Sequence, residues 1–234
     1  MRRPALFLAC ATLLAGCEVP SLGMPDPVSK EGQRIDSLWS GFVVASFLVF
    51  GLVVGLILYA AIRFRRKNDD VPSQKPYNVP MEVLYTVTPI VVVAGLFGFS
   101  VAAQLDVTKT TPVDEAVVVN VTSFQWGWRF EFPEQGKVVE GAGEVSPPTI
   151  EVPVNRSVHF VLRTEDVNHA FWVPQFLEKR DLIRGIDNTL DITPNQLGEY
   201  GGKCAEFCGL DHWRMPFTIR VVTQPEFDAW VRSR

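Results

Sequence analysis

Two long stretches without a charged residue constrain this chain more than any other feature. Residues 41–62 and 83–103 are 22 and 21 residues long and contain no Asp, Glu, Lys or Arg. A helix needs about 20 apolar residues to cross the hydrocarbon core of a bilayer. Soluble core helices of this length and purity are unusual. The sequence therefore predicts a membrane protein with two spans.

The connection between the two spans is basic. It carries several cationic residues, namely Arg63, Arg65, Arg66, Lys67 and Lys75. Loops rich in Lys and Arg stay on the cytoplasmic side of a membrane. The spans are therefore expected to form a hairpin in the cell membrane, with both ends of the chain on the outer, periplasmic side.

The first residues resemble an export signal. A basic start, Arg2-Arg3, precedes an apolar core over residues 5–15 that is too short to span comfortably. The core ends in Leu14-Ala15-Gly16-Cys17, which resembles the bacterial lipoprotein box. That resemblance implies a signal peptide over residues 1–16 and a lipid on the Cys17 thiol. An ordinary cleaved signal or an uncleaved leader are the alternatives.

The rest of the chain divides into an anchor, residues 17–105, and an outer domain, residues 106–234. The outer domain has 13 basic against 19 acidic residues, hence a formal net charge of −6. Such a surface favours a basic partner, although solubility alone explains it equally well. Nothing in the composition indicates nucleic-acid binding.

The outer domain has the pattern of an all-β sandwich. Short β-branched segments at residues 116–121, 157–162 and 216–222 are separated by Gly, Pro and Asn. Only the end of the chain indicates a helix, because Thr223-x-x-Glu226 with Pro225 between them is a helix-start signal.

Two cysteines dominate the outer domain. Cys10 lies in the signal and Cys17 is the lipidation residue, so Cys204 and Cys208 remain. In an oxidising compartment a disulfide between them is the default expectation. Their neighbours favour a metal instead, because the segment reads GGKCAEFCGLDHWRMPF. Its glycines and proline favour a loop between strands over a helix.

The donor types indicate copper. Zinc sites usually pair two Cys with two closely spaced His, whereas His169 precedes His212 by 43 residues here. A thioether such as that of Met215 suits copper. Two thiolates can bridge two copper ions, each with one His and one weak ligand. The third histidine, His159, lies in a predicted strand, where we interpret it as structural.

At this point the residues resemble a known family. The run Cys204-Ala205-Glu206-Phe207-Cys208-Gly209-x-x-His212-x-x-Met215-Pro216 resembles the dinuclear copper loop of subunit II of haem–copper cytochrome c oxidases. The segments SFQWGW, from Ser123, and EDVNHAF, from Glu165, resemble the family's aromatic segment and the segment supplying its first His. The resemblance implies a two-helix transmembrane hairpin followed by a cupredoxin-like domain.

The resemblance also implies roles for individual residues. Trp126 is expected to receive electrons, with Trp128 nearby, and Glu82 to take up protons. The Glu206 side chain is expected to reach a magnesium ion at the boundary with subunit I. The expected copper ligands are His169, Cys204, the Glu206 carbonyl, Cys208, His212 and Met215.

The implied activity is that of a subunit of cytochrome-c oxidase. Its dinuclear copper centre would take electrons from a cytochrome c and pass them to the haem–copper subunit I. That subunit, not this chain, would reduce oxygen to water, coupled to proton translocation. The acidic run after Trp128 is thin, so a membrane-bound cytochrome c is as compatible a donor as a mobile one. No Cys-x-x-Cys-His occurs, so no covalent haem c is fused to this chain.

Three rival interpretations exist. The copper relay of nitrous oxide reductase shares the loop but needs a large catalytic domain and no spanning hairpin. A quinol oxidase subunit II keeps the fold and usually lacks the copper ligands. An exported lipoprotein with a Cys204–Cys208 disulfide would act as a binding or assembly module.

Overall fold

The computed structural model describes residues 22–71 and 73–233. The expected signal peptide, residues 1–16, and Cys17 lie outside the described residues. The described chain forms two compact units. One contains residues 22–36 together with 106–233, and the other is Ser37–Leu105.

Two long apolar helices contain the uncharged stretches. Helix α1 is Lys30–Arg63 and helix α2 is Val79–Val107. Their most apolar 18-residue windows have mean hydropathies of 2.7 and 2.0, and nearly all side chains in those windows are exposed. Apolar helices whose side chains are exposed in this way are suited to contact lipid, as the sequence predicted.

The outer domain is a sandwich of two five-stranded sheets, as predicted. The first sheet has the order β3-β2-β1-β5-β8 and the second β4-β10-β9-β6-β7. The pairs β1–β5 and β4–β10 are parallel, and the other pairs are antiparallel. The strands are β1 Val117–Phe124, β2 Gly127–Phe132, β3 Lys137–Ala142, β4 Thr149–Pro153, β5 Val158–Thr164, β6 His169–Val173, β7 Glu178–Leu182, β8 Asn188–Ile192, β9 Gly198–Cys204 and β10 Pro216–Val222.

An aromatic cluster fills the core between the sheets. The Phe171 ring stacks on Phe217 with centroids 4.8 Å apart, and the Trp128 ring lies 5.1 Å from Phe217. Gly202 makes room for this cluster, since a Cβ at that position would lie 2.2 Å from the Phe217 ring. A glycine inside a strand therefore marks a close approach of a side chain to the backbone.

The predicted strands are present with small changes at their ends. The third, Pro216–Val222, has the predicted bounds, whereas the first begins at Val117 and extends to Phe124, just inside the aromatic segment. The predicted loop is shorter than expected, because residues 201–204 belong to β9. The C-terminal helix α3, Gln224–Arg232, begins at the predicted signal, with Thr223 and Glu226 forming a capping box.

Candidate metal centre

The loop between β9 and β10 carries most of the candidate ligands. Cys204 ends β9, and its amide donates to the carbonyl of Met215 at 3.3 Å, which closes the base of the loop. Lys203 pairs with Pro216 just below this bond. The two strands therefore fix both ends of the loop, while a single 3-10 turn, His212–Arg214, shapes its return.

The remaining histidine comes from a neighbouring strand. His169 begins β6, and β6 pairs with β9 through Phe171 and Cys204. This pairing carries the His169 ring towards the Cys204 sulfur. Residues that are 35 positions apart in the chain thus meet because their strands are neighbours in one sheet.

The predicted ligand atoms converge. The two sulfurs of Cys204 and Cys208 are 3.9 Å apart. The Nδ1 atom of His169 lies 3.8 Å from the Cys204 sulfur, and that of His212 lies 3.5 Å from the Cys208 sulfur. The Met215 sulfur is 3.5 Å from Cys208, and the Glu206 carbonyl oxygen is 3.2 Å from the Cys204 sulfur.

The two thiols are free, so the disulfide alternative finds no support. His169, Cys204, Cys208 and Met215 are all buried. Buried donors of the soft type, two thiols and a thioether with two imidazoles, match the ligand preferences of copper. The residues present therefore fit a copper site.

The two thiols differ electrostatically. Burial raises the pKa of Cys204, but hydrogen bonds from the surroundings, that of His169 first, outweigh burial and lower this pKa below its usual value. Burial and the negative charge of Cys204 raise the pKa of Cys208. Cys204 is therefore the more readily ionised thiol of the pair. Burial lowers the pKa of His169, but the bonds to Cys204 and Asp166 reverse this effect and raise it.

Asp166 orients the His169 ring and was not anticipated as a functional residue. Its Oδ1 lies 2.9 Å from His169 Nε2, and its Oδ2 accepts the Gln125 amide at 2.7 Å. A carboxylate on one ring nitrogen fixes the tautomer that leaves the other nitrogen free to bind a metal. The sequence signal was present, because an acidic residue three positions before a ligand His is within reach of its ring.

The aromatic segment touches the same loop. The Trp126 indole donates to the Cys208 carbonyl at 3.2 Å, and the Gln125 side-chain amide donates to the same oxygen at 2.8 Å. Trp128 instead lies in the core, where its indole donates to the Met215 carbonyl at 3.1 Å. Trp126 is only partly buried. One part of its ring system is therefore accessible from solvent, while its indole nitrogen contacts the loop that carries Cys208.

The other candidates have local partners. The Nδ1 atom of His159, buried in β5, lies 3.1 Å from each Asp191 carboxylate oxygen, in keeping with a structural role. Glu82 lies in the first turn of α2, where its carboxylate accepts the Asn78 amide at 3.1 Å. The Glu206 side chain is exposed.

The fold and site define a class: a protein with two apolar helices and a cupredoxin-like domain whose buried Cys, His and Met residues suit copper. Comparison with known proteins narrows this class. Residues 117–222 match the family described as "Cytochrome C oxidase subunit II, periplasmic domain", and residues 18–102 match its transmembrane domain. The chain belongs to the cytochrome c oxidase subunit II family.

Individual relatives agree with this assignment. A probable cytochrome c oxidase subunit 2 of Streptomyces avermitilis is 38% identical, with 97% of this chain and 83% of the relative covered. Cytochrome c oxidase subunit 2 of Mycobacterium tuberculosis is 31% identical, with 98% and 80% covered. The solved periplasmic domain of subunit II of cytochrome oxidase from Bradyrhizobium japonicum is 33% identical, with a TM-score of 0.47 over 49% of this chain and 90% of that chain.

Membership in this family identifies several general properties. The chain is a subunit of an oxidoreductase complex, a haem–copper oxidase. It is a membrane protein with two spans, and its copper domain lies on the outer side. The predictions of fold class, family and localisation are therefore confirmed.

We predict that Asp166→Ala weakens copper binding about 10–100-fold, which is the usual effect of removing the partner that orients a ligand His. Glu165→Gln is the matched control, because the neighbouring Glu165 contacts Arg129 and not the histidine. Competition with a copper chelator measures both affinities. An unchanged affinity in Asp166→Ala would show that the ring is held by packing alone.

Proposed function

We propose that this site holds two copper ions and relays electrons in a respiratory cytochrome c oxidase. The observation that carries the proposal is the pairing of donors, since each of two adjacent sulfurs has its own imidazole nitrogen within 3.8 Å. The proposed ligands are His169, Cys204, the Glu206 carbonyl, Cys208, His212 and Met215.

The chain supplies rigidity rather than bond chemistry. When bound, the copper pair supplies a one-electron redox couple whose charge is shared between two ions. The burial of His169, Cys204, Cys208 and Met215 keeps water away from the site. The backbone hydrogen bond from the Cys204 amide to the Met215 carbonyl holds the two ends of the loop together. Ligands that are held on rigid strands and short loops move little when the charge of the metal site changes on electron transfer. Reduction of oxygen belongs to the haem–copper subunit I.

The hairpin that carries Trp126 offers a surface to the electron donor, which we propose is a cytochrome c. Beside Trp126 the copper loop exposes large apolar side chains, namely Phe207 at 78%, Leu210 at 83% and Trp213 at 68%. Apolar patches of this kind mark interaction sites. From the Trp126 ring, the hydrogen bond to the Cys208 carbonyl is a direct route to a copper ligand.

Carboxylates gather at this hairpin from separate parts of the chain. Arg129 contacts Glu140 and Glu165, and Arg214 lies near Glu144 and Asp211. Four carboxylates against two guanidinium groups leave negative charge beside the apolar patch. The segment directly after Trp128 has few acidic residues, but these four carboxylates, which are distant in sequence, provide negative charge near it. This charge favours a moderately basic donor, whether mobile or membrane-bound.

Two further roles are proposed on the same basis. The exposed Glu206 side chain belongs to the same residue as a copper-ligating carbonyl, so a magnesium ion held by it and by subunit I would lie next to the copper site. Glu82 begins α2 at the end that the basic loop places on the cytoplasmic side. There its carboxylate would collect protons for a path through subunit I.

The copper assignment predicts two coppers per chain with one unpaired electron shared between them. Metal analysis and electron resonance of the copper-loaded protein measure both quantities. Cys204→Ser and Cys208→Ser should abolish the shared signal, whereas Met215→Leu should leave a perturbed centre, because a weak ligand tunes a metal more than it holds it. One copper per chain with an isolated blue-copper spectrum would refute the proposal.

Trp126→Phe is expected to slow electron transfer from the donor by an order of magnitude or more. The substitution keeps much of the apolar volume but removes the indole donor to the Cys208 carbonyl. Stopped-flow reduction of the copper site by a cytochrome c measures the rate. The copper spectrum should stay unchanged, because the Gln125 side chain still donates to the Cys208 carbonyl.

Trp213→Phe is the matched control for that experiment, since Trp213 lies on the same loop and is exposed. An equal slowing in both variants would assign Trp126 to the docking area rather than to the electron path. Trp128→Phe should instead alter the copper spectrum, because it removes the donor to the Met215 carbonyl.

Glu82→Gln is expected to lower steady-state oxygen reduction severalfold while reduction of copper by the donor stays intact. Glutamine retains an oxygen that can accept the Asn78 amide, so the start of α2 is preserved and only the titratable charge is lost. Both rates are measured in one preparation of the assembled oxidase. Unchanged turnover would return Glu82 to a helix-capping role.

A further inference from the structure

A short segment before the first span is bound to the outer domain. This strap, residues Val28–Glu31, lies along two turns of the sandwich. The Val28 amide donates to the Gln175 carbonyl at 3.1 Å, the Lys30 amide donates to Thr193 at 3.0 Å, and the Asn195 amide donates back to Val28 at 2.9 Å. Val28 and Ser29 are buried. Val28 and Ser29 thus form an extended segment on the surface of the domain, and Lys30 and Glu31 belong to the first turn of α1.

The last residue of the strap makes a charged contact. The Glu31 carboxylate accepts the amide of Thr193 at 2.8 Å. This contact holds the carboxylate beside the turn that carries Thr193. The strap therefore presents a negative charge to the surface on which it lies.

A second carboxyl group, Glu178, is buried close to that charge. Its side chain, at the start of β7, is only 7% exposed. One carboxylate oxygen, Oε1, has no hydrogen-bond partner, and the other lies 3.5 Å from an Arg180 nitrogen, at the limit of a hydrogen bond. The Nε of Arg180 is also buried without a partner. A buried carboxyl group so poorly compensated is costly in its charged form.

The charges around Glu178 come from three elements. Burial raises the pKa of Glu178 most strongly; Arg180, on β7, lowers it, while Glu31, on α1, and Asp191, on β8, raise it, with a net value of about 7. A cavity of about 140 Å³ is lined by Arg180 and Asp191, among other residues.

We propose that Glu178 is a proton-controlled latch for the strap, which docks firmly while Glu178 is protonated and loosens when this carboxyl group ionises beside Glu31. The latch sets how firmly the start of α1 is held on the outer domain. Protons on the outer side of the membrane are its ligand. The latch uses none of the proposed copper ligands, so an experiment can refute it without refuting the electron relay.

The sign follows from linkage. The pKa of Glu178 is raised from its ordinary value of 4.5 to about 7, with burial as the largest cause and the charge of Glu31 as a further one. Undocking that exposes this carboxyl group to water and removes Glu31 lowers its pKa towards 4.5, so protonation contributes docking stability that is complete below that value. This contribution is lost as the pH rises through about 7. Where one proton is released per opening, the opening equilibrium changes by at most about tenfold per pH unit.

Hydrogen–deuterium exchange on the full chain in nanodiscs tests the latch. The amides of Val28, Lys30, Thr193 and Asn195 are donors in strap contacts and report its opening. After correction for intrinsic exchange rates, their protection should fall roughly tenfold between pH 5.5 and pH 7.5. Glu178→Gln should make protection independent of pH and high at both values. A wild-type protein without pH dependence, or a variant that retains it, would overturn the proposal.

Two controls keep the result specific. Glu199→Gln changes an exposed carboxylate that contacts Arg220 on the same sheet, and it should leave the pH response intact. Infrared titration provides a readout that does not depend on the strap. The band of a protonated carboxyl group should disappear near pH 7 in the wild type and be missing from Glu178→Gln. Ionisation complete by pH 5.5 would also overturn the proposal.

Discussion

The backbone hydrogen bond between Cys204 and Met215 is the constraint on which the site depends. It lies where β9 and β10 separate, so the loop that leaves the sheet at one cysteine must return at the methionine. All intervening ligands are then confined to a segment with fixed ends. Fixed ends limit the conformations open to such a loop, which reduces the entropy lost when its ligands are ordered. The pairing of β9 with β10 therefore contributes to the order of the candidate ligands.

A second set of contacts links three segments into one network. Asp166 accepts the Gln125 amide and holds the His169 ring, while Gln125 and Trp126 both donate to the Cys208 carbonyl. The turn between β1 and β2 thereby touches both a histidine and a cysteine of the site. The groups that stiffen the ligands are also those through which we propose that electrons arrive. Changes at this turn should consequently affect rate and spectrum to different extents, depending on which hydrogen bond is removed.

Much of the architecture follows from patterns that the sequence displays openly. The two spans can be predicted because charged side chains are unfavourable in lipid, which leaves long uncharged stretches in the sequence. The strand Pro216–Val222 can be predicted because its β-branched residues lie together between turn residues. The spacing of Cys204, Cys208, His212 and Met215 announces a soft-metal site. What the sequence could not show are pairings across the sheet, such as Asp166 with Gln125, the carboxylates around Arg129, and the burial of Glu178. These depend on which strands become neighbours, and no local pattern encodes that.

The ligand candidates of the copper loop are spaced as residues on one face of a helix would be, although the loop is not helical over this length. Residues 204, 208, 212 and 215 would share one face of a helix, yet the structure contains only a single 3-10 turn there. Cys204, Cys208 and Met215 are buried and His212 is half-buried, while Phe207, Leu210 and Trp213 are exposed. The periodicity thus records a loop with one side on the metal site and the other facing outward. Because that outward side is apolar and large, it suits contact with the partner proteins proposed above, while the inward side carries the donors that suit copper.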